Sequence, residues 1–72
     1  MNIQFVEDVE LEVVTNCRDD KPETVLEKFL AGDENEIDLV DGKVGAAAQI
    51  QFGDGSVSFV TADFWRAVEI YN

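Results

Sequence analysis

Along the N-terminal part of the chain the apolar residues fall on alternate positions. From Asp8 to Val13, Val9, Leu11 and Val13 lie on one side of an extended backbone and Asp8, Glu10 and Glu12 on the other. That period of two is the signature of a half-buried strand. Ile3 and Phe5 carry the same phase toward the N-terminus, but Glu7 interrupts it. Such a break marks either a bulge or the seam between two short strands. One long strand over residues 4–15 is the expectation.

After Thr15 the period changes. In "NCRDDKPETVLEKFLAG", Val25, Leu26, Phe29 and Leu30 share one face of a helix. Asp20 and Glu23 have capping-box spacing, Pro22 falls in the first turn where its missing N–H costs nothing, and Gly32 can close the C-terminus. The pattern predicts a helix that packs its apolar stripe on a sheet.

The remaining strands take their register from two Asp-Gly dipeptides, Asp41-Gly42 and Asp54-Gly55, which favour two-residue hairpin loops. A two-residue loop at Asp54-Gly55 sets Phe52 opposite Val57, Ile50 opposite Phe59 and Ala48 opposite Thr61. A three-residue loop would set Phe52 opposite Ser56 and Gln51 opposite Val57, so apolar pairing selects the shorter one. The same rule at Asp41-Gly42 sets Leu39 opposite Val44 and Ile37 opposite Ala46. Both hairpins then use one apolar face, Val44, Ala46, Ala48, Ile50 and Phe52, and the small Ala46 and Ala48 leave room for the helix that bears Phe29. A three-stranded antiparallel meander results. Beyond Val60, Thr61 or Asp63 can cap a short turn before a last strand in "RAVEIY", where Val68 and Ile70 point the same way.

The fold class expected is α+β in a single domain, residues 1–72: a long N-terminal strand, one helix, a meander with Asp-Gly hairpins, a short turn and a final strand, with the sheet curled around one core. In "GDGSVSFVTADFW" the Asp-Gly hairpin followed by a V-x-A-D-type turn resembles the second half of SH3-like barrels. The resemblance covers the C-terminal part of the chain and implies an SH3-like barrel whose first long loop would hold the helix.

Composition narrows the function classes. The chain is 46% apolar with five Phe, too hydrophobic for disorder. Sixteen acidic against five basic residues and no His give a net charge of −11, which repels nucleic acid and anionic membrane and attracts basic partners. The lone Cys17 cannot form an intrachain disulfide. With no long apolar run, a cytoplasmic protein is the default expectation. Catalysis starts without His, without a base to activate Cys17 and without a nucleophile elbow, so no enzyme and no cofactor are expected. "DENEID" at 33–38 begins like a calcium loop but puts Ile37 and Asp38 at the fifth and sixth positions, where an oxygen ligand and Gly are required. It reads as a solvated acidic loop leading into a strand.

The charge is one-sided: residues 7–41 hold 13 acidic and 3 basic residues, and the rest of the chain 3 and 2. On the first strand Asp8, Glu10 and Glu12 repeat about every 6.7 Å, twice the roughly 3.4 Å between phosphates along one DNA strand. Such a row can imitate alternate phosphates, although a charged strand face is ordinarily a solvated one that guards an edge. Trp65 and Tyr71, aromatic types enriched at interface hot spots, are the other candidates, although Trp65 and Phe64 also suit a small core and, being adjacent, are not both expected to point inward. The expected function is a non-catalytic acidic protein-binding module, an inhibitor or modulator of phage or mobile-element type, docking on a basic surface of a larger protein, nucleic-acid-binding proteins included. Its candidate contact residues are Asp8, Glu10, Glu12, Asp33, Glu34, Glu36, Trp65 and Tyr71. The alternative is a structural or accessory subunit making an apolar contact through Trp65 and Tyr71.

Overall fold

The alternation across residues 8–13 becomes strand β2 (Val9–Thr15) in the computed structural model, which describes residues 1–15 and 21–71. Val13 is fully buried and Val9 and Leu11 half-buried, whereas Asp8, Glu10 and Glu12 face solvent. The expected single long strand is corrected to two: β1 (Asn2–Phe5) is separated from β2 by a bend at residues 6–8, where Glu7 breaks the pattern.

The expected helix is overturned. Residues 23–29 form strand β3 (Glu23–Phe29), antiparallel to β2 at every position from Thr15–Glu23 to Val9–Phe29. Of the four apolar residues assigned to a helical face only Phe29 is buried; Leu26 is 66% exposed, Leu30 49% and Val25 37%. The reason lies in backbone accounting. β2 meets its other neighbour, β6 (Val57–Val60), at the single ladder pair Val14–Val57. A helix at 23–29 would leave most of the peptide groups of β2 without strand partners, and pairing outweighs a modest helix propensity. Pro22 is exposed ahead of the strand, Gly32 turns the chain at φ +94° after it, and Asp20 lies outside the described residues.

β4 (Glu34–Gly42) then pairs with β1, Asn2 opposite Glu36 and Gln4 opposite Glu34. This ladder shares one register with the β2–β3 ladder: stepping forward on the first partner and back on the second leads from Asn2–Glu36 to Thr15–Glu23 without a net slip. Residues 2–15 and 23–36 are therefore one antiparallel ribbon bent in the middle. The bend is pinned by hydrogen bonds from Phe5 N to Asp33 O and Gly32 N to Phe5 O, and by the Asp8 carboxylate, which accepts one from Ala31 N at 2.9 Å.

The meander β4, β5 (Ala48–Phe52) and β6 is present, with both loop registers corrected. The β5–β6 loop has three residues, 53–55, so Gln51 faces Val57 and Ile50 faces Ser58. Gly55 at φ +92° closes it, with Phe52 N donating to Ser56 O. The Asp54 carboxylate reinforces the turn by accepting from both Ser56 N and Ser56 Oγ. The cost anticipated for this register, serines turned inward, is met by hydrogen bonds: Ser58 is 1% exposed and donates to Glu12 O at 2.8 Å. The consequence is that Phe59, expected inside, points outward at 74% exposure.

Between β4 and β5 the Asp-Gly dipeptide ends the strand and does not form the loop; a bulge after Leu39 shifts the register and residues 43–47 turn the chain. Leu39 faces Ile50 and Ile37 faces Phe52. Gly42, at φ +87°, lies so close to β5 that a Cβ there would stand 2.6 Å from Ala47 O. Ala48, Ile50 and Phe52 are buried as expected, but Val44 is exposed in the loop.

After β6 come helix α1 (Ala62–Arg66) and β7 (Val68–Tyr71), which pairs with β1. Thr61 occupies the N-cap position without a side-chain cap bond. Because 64 and 65 are helical, both adjacent aromatics turn inward, Phe64 at 5% and Trp65 at 9% exposure, correcting the expectation that only one would. The Trp65 indole N–H donates to Ala46 O at 2.8 Å, tying α1 to the 43–47 loop. Val68 is buried, while Ile70 is 44% exposed.

Among the described residues the result is a seven-stranded antiparallel sheet in the order β3-β2-β6-β5-β4-β1-β7 with one short helix. The sheet is not closed, and β3 and β7 are its edges. Since β1 and β2 stand far apart in that order yet are joined by three residues, the sheet is strongly curled. Its concave side holds a run of rings: Phe5 stacks on Phe29 at 4.7 Å, Phe29 on Phe52 at 5.3 Å, and Phe64 meets Phe5 and Trp65 edge-on. Phe29 reaches this core from a strand, not from a helix.

Candidate functional site

The convex face of β2 carries Glu10 and Glu12, both exposed. In an antiparallel ladder directly opposite residues share a face, so Lys28 stands beside Glu10 and Leu26 beside Glu12. On the other flank the pair Val14–Val57 fixes the register with β6, and two residues further along it Glu12 comes beside Phe59. The row of acids is thus bordered by a lysine on one side and an exposed phenylalanine on the other.

Phe59 stands at the mouth of a groove of about 520 Å³ between β2 and the corner where β6 enters α1. Val9, Leu11, Val60 and Phe64 supply its apolar walls, and Glu7, Asp8, Glu10, Glu12 and Asp63 its acidic rim. Asp63 is tethered by Arg66, whose guanidinium approaches to 3.2 Å at an exposed position. Phe59 also borders a smaller hollow of about 240 Å³ formed with Gly42, Ala47 and Ala48. An exposed aromatic between two hollows, rimmed by carboxylates, suits a partner surface that offers cationic side chains around an apolar contact.

The acidic residues 33–36 lie elsewhere. The Asp33 carboxylate accepts a hydrogen bond from Leu30 N at 2.8 Å, within the turn that bends the ribbon. Glu34 and Glu36 are exposed on β4 and, with Glu27 and Asp54, rim a second hollow of about 300 Å³ floored by Phe29 and Phe52. Two hydrogen bonds from Ser56, the side-chain one foremost, hold the Asp54 carboxyl below its ordinary value. Tyr71, 40% exposed on β7, lies beside Glu34, and the hydrogen bond to that carboxylate raises the phenol above its ordinary value.

Of the eight candidate residues, then, Asp8, Glu10 and Glu12 come together at the groove, Asp33, Glu34 and Glu36 with Tyr71 form a separate region, and Trp65 belongs to the core. Burial of Trp65 removes half of the apolar contact envisaged for an accessory subunit. Phe59 is the residue the sequence pattern misplaced. Gly55, able to take the positive φ that a three-residue loop needs, together with Ser56 within reach of Asp54, was the available signal for the register that exposes it. Among the described residues, no group of three or more His, Cys, Asp or Glu side chains gathers as a metal site, and no helix is long and apolar enough to cross a membrane.

Comparison with known proteins leaves the chain by itself. No family model, no curated protein and no solved structure matches it.

Proposed function

We propose that the chain is a non-catalytic, acidic protein-binding module that docks on a basic surface of a larger protein through the groove between β2 and the β6–α1 corner. The observation that carries this is Phe59, 74% exposed in a groove that Glu10 and Glu12 also line. A large side chain left in water beside a charged rim fits the anatomy of a contact whose apolar centre is surrounded by polar groups. With a net charge of −11, association is steered toward basic, nucleic-acid-binding surfaces. An inhibitor or modulator of such a protein, of the kind phages and mobile elements encode, acting in the cytoplasm on a curled SH3-like framework, is the form this function takes.

The test is capture of partners from cell extract on the immobilised protein, followed by affinity measurement against the retained protein as salt rises. Affinity should fall roughly tenfold or more between about 0.05 and 0.3 M salt, where screening shortens the reach of surface charges. Glu10→Lys with Glu12→Lys should abolish capture, and Phe59→Ala should weaken it with little change in salt slope. Indifference to salt and to all three substitutions would defeat the proposal.

A further inference from the structure

The edge formed by β3 is the longer of the two edges of the sheet, seven residues against four in β7. Among the described residues β2 is its only strand neighbour, and six of its seven residues are exposed. Leu26 and Val25 lie on it and Leu30 just beyond it, all in contact with water. An unpaired edge presents a row of backbone donors and acceptors. Extended chains add to such edges through main-chain hydrogen bonds, while pockets and charges for alternate side chains set specificity. On β3, Glu23, Val25 and Glu27 share one face and Thr24, Leu26 and Lys28 the other.

We propose that β3 receives an extended segment of another protein as an eighth strand, and that this segment alternates basic and apolar residues. Opposite Glu23 and Glu27 it carries Lys or Arg four positions apart, with an apolar residue between them opposite Val25 and another, on the other face, opposite Leu26. Charge chooses this occupant over a second copy of the chain. A two-fold antiparallel pairing centred on Leu26 would set Glu27 diagonally across from the Glu27 of the other copy, and it would bring together two chains of net charge −11 each. Shifting that pairing to centre on Val25 would put Glu23 directly opposite Glu27, and like charges directly opposite are destabilising, so the edge disfavours itself and accepts a cationic strand. This surface is separate from the Phe59 groove, because β2 stands between β3 and β6.

The probe is an acetylated and amidated peptide with the core Lys-Val-Val-Thr-Lys, and two versions of it N-methylated at alternate residues. Methylation keeps charge and side chains but removes main-chain donors from one side of the strand. The parent peptide should slow amide exchange at alternate residues of β3. One methylated version should bind roughly tenfold or more weakly while the other binds as the parent does, since main-chain bonds carry the affinity. Glu23→Lys with Glu27→Lys should lose the peptide, and Phe59→Ala should leave its affinity unchanged. Equal binding of both methylated peptides, protection at β6 instead of β3, or sedimentation as a dimer that Leu26→Lys dissolves would each overturn the proposal.

Discussion

β2 and β3 are partners at seven consecutive positions, yet similar residues meet opposite fates on them. Val13 is 0% exposed, whereas Val25 directly opposite it is 37% exposed; Leu11 is half-buried, whereas Leu26 is 66% exposed. The difference is what lies beyond. β2 has β6 on its other flank, and the buried Ser58 binds its backbone. β3 has open solvent, except at Phe29, where the ribbon bends back and the ring slides between Phe5 and Phe52. Burial in so small a fold follows from having neighbours on both sides, and apolar character alone does not secure it. The outer strand is left with the side chains and backbone groups a partner can use.

Removing the one residue that anchors β3 in the core should have the largest effect. Phe29→Ala takes away a ring that is 7% exposed and stacked on two others, and large-to-small changes of this kind cost about 3–5 kcal/mol. Domains are stable by about 5–15 kcal/mol, so urea unfolding should show most of the stability gone. Next comes the tie between β2 and the meander. Ser58→Ala deletes the bond that this buried hydroxyl donates to Glu12 O, at a cost of about 1 kcal/mol. Amide exchange in β2 and β3 should quicken more than in β4 and β5; uniform acceleration would show that the β2–β3 pair does not open independently of the meander.

These two residues also mark how far the sequence could be read. Alternation identified β2, the inward set Val9, Leu11 and Val13, and the order of the meander, because each signal is local. It misassigned β3, because Val25, Leu26, Phe29 and Leu30 satisfy a helical period as well, and the demand that decided the matter came from the unpaired edge of β2, a non-local fact. It misplaced Phe59 because apolar pairing was weighed without the hydrogen bonds that let Ser56 and Ser58 go inside. The acidic row was legible at Glu10 and Glu12, but the flanking Lys28 and Phe59 needed the strand neighbours, and the separation of Glu34 and Glu36 from that row needed the curl of the sheet.

The turn that turns Phe59 outward can be probed through its one titrating group. Ser56 holds the Asp54 carboxyl below its ordinary value, so the folded protein binds that proton less readily than the unfolded chain. Asp54 therefore contributes stability above its unfolded-state value, and the contribution is lost as pH falls through the lower folded-state value. At this exposed position the effect is small. Asp54→Asn should be slightly less stable than the parent at pH near 7, with the gap closing in acid. A gap that widens in acid would contradict the turn geometry and, with it, the register that exposes Phe59.

The smallest effect is the most telling about β3. If residues 23–29 were a helix packed on a sheet, Leu26 would sit in the same buried stripe as Phe29, and Leu26→Ala would cost about 2–5 kcal/mol. On an edge strand, with 66% of the residue in solvent, the same change should stay within about 0.5 kcal/mol. Urea unfolding of Leu26→Ala beside Phe29→Ala separates the two cases without any partner in hand: equal losses restore the helix, and unequal ones establish the strand. A variant that keeps its full stability but no longer takes up the basic peptide would show that Leu26 serves contact and not folding.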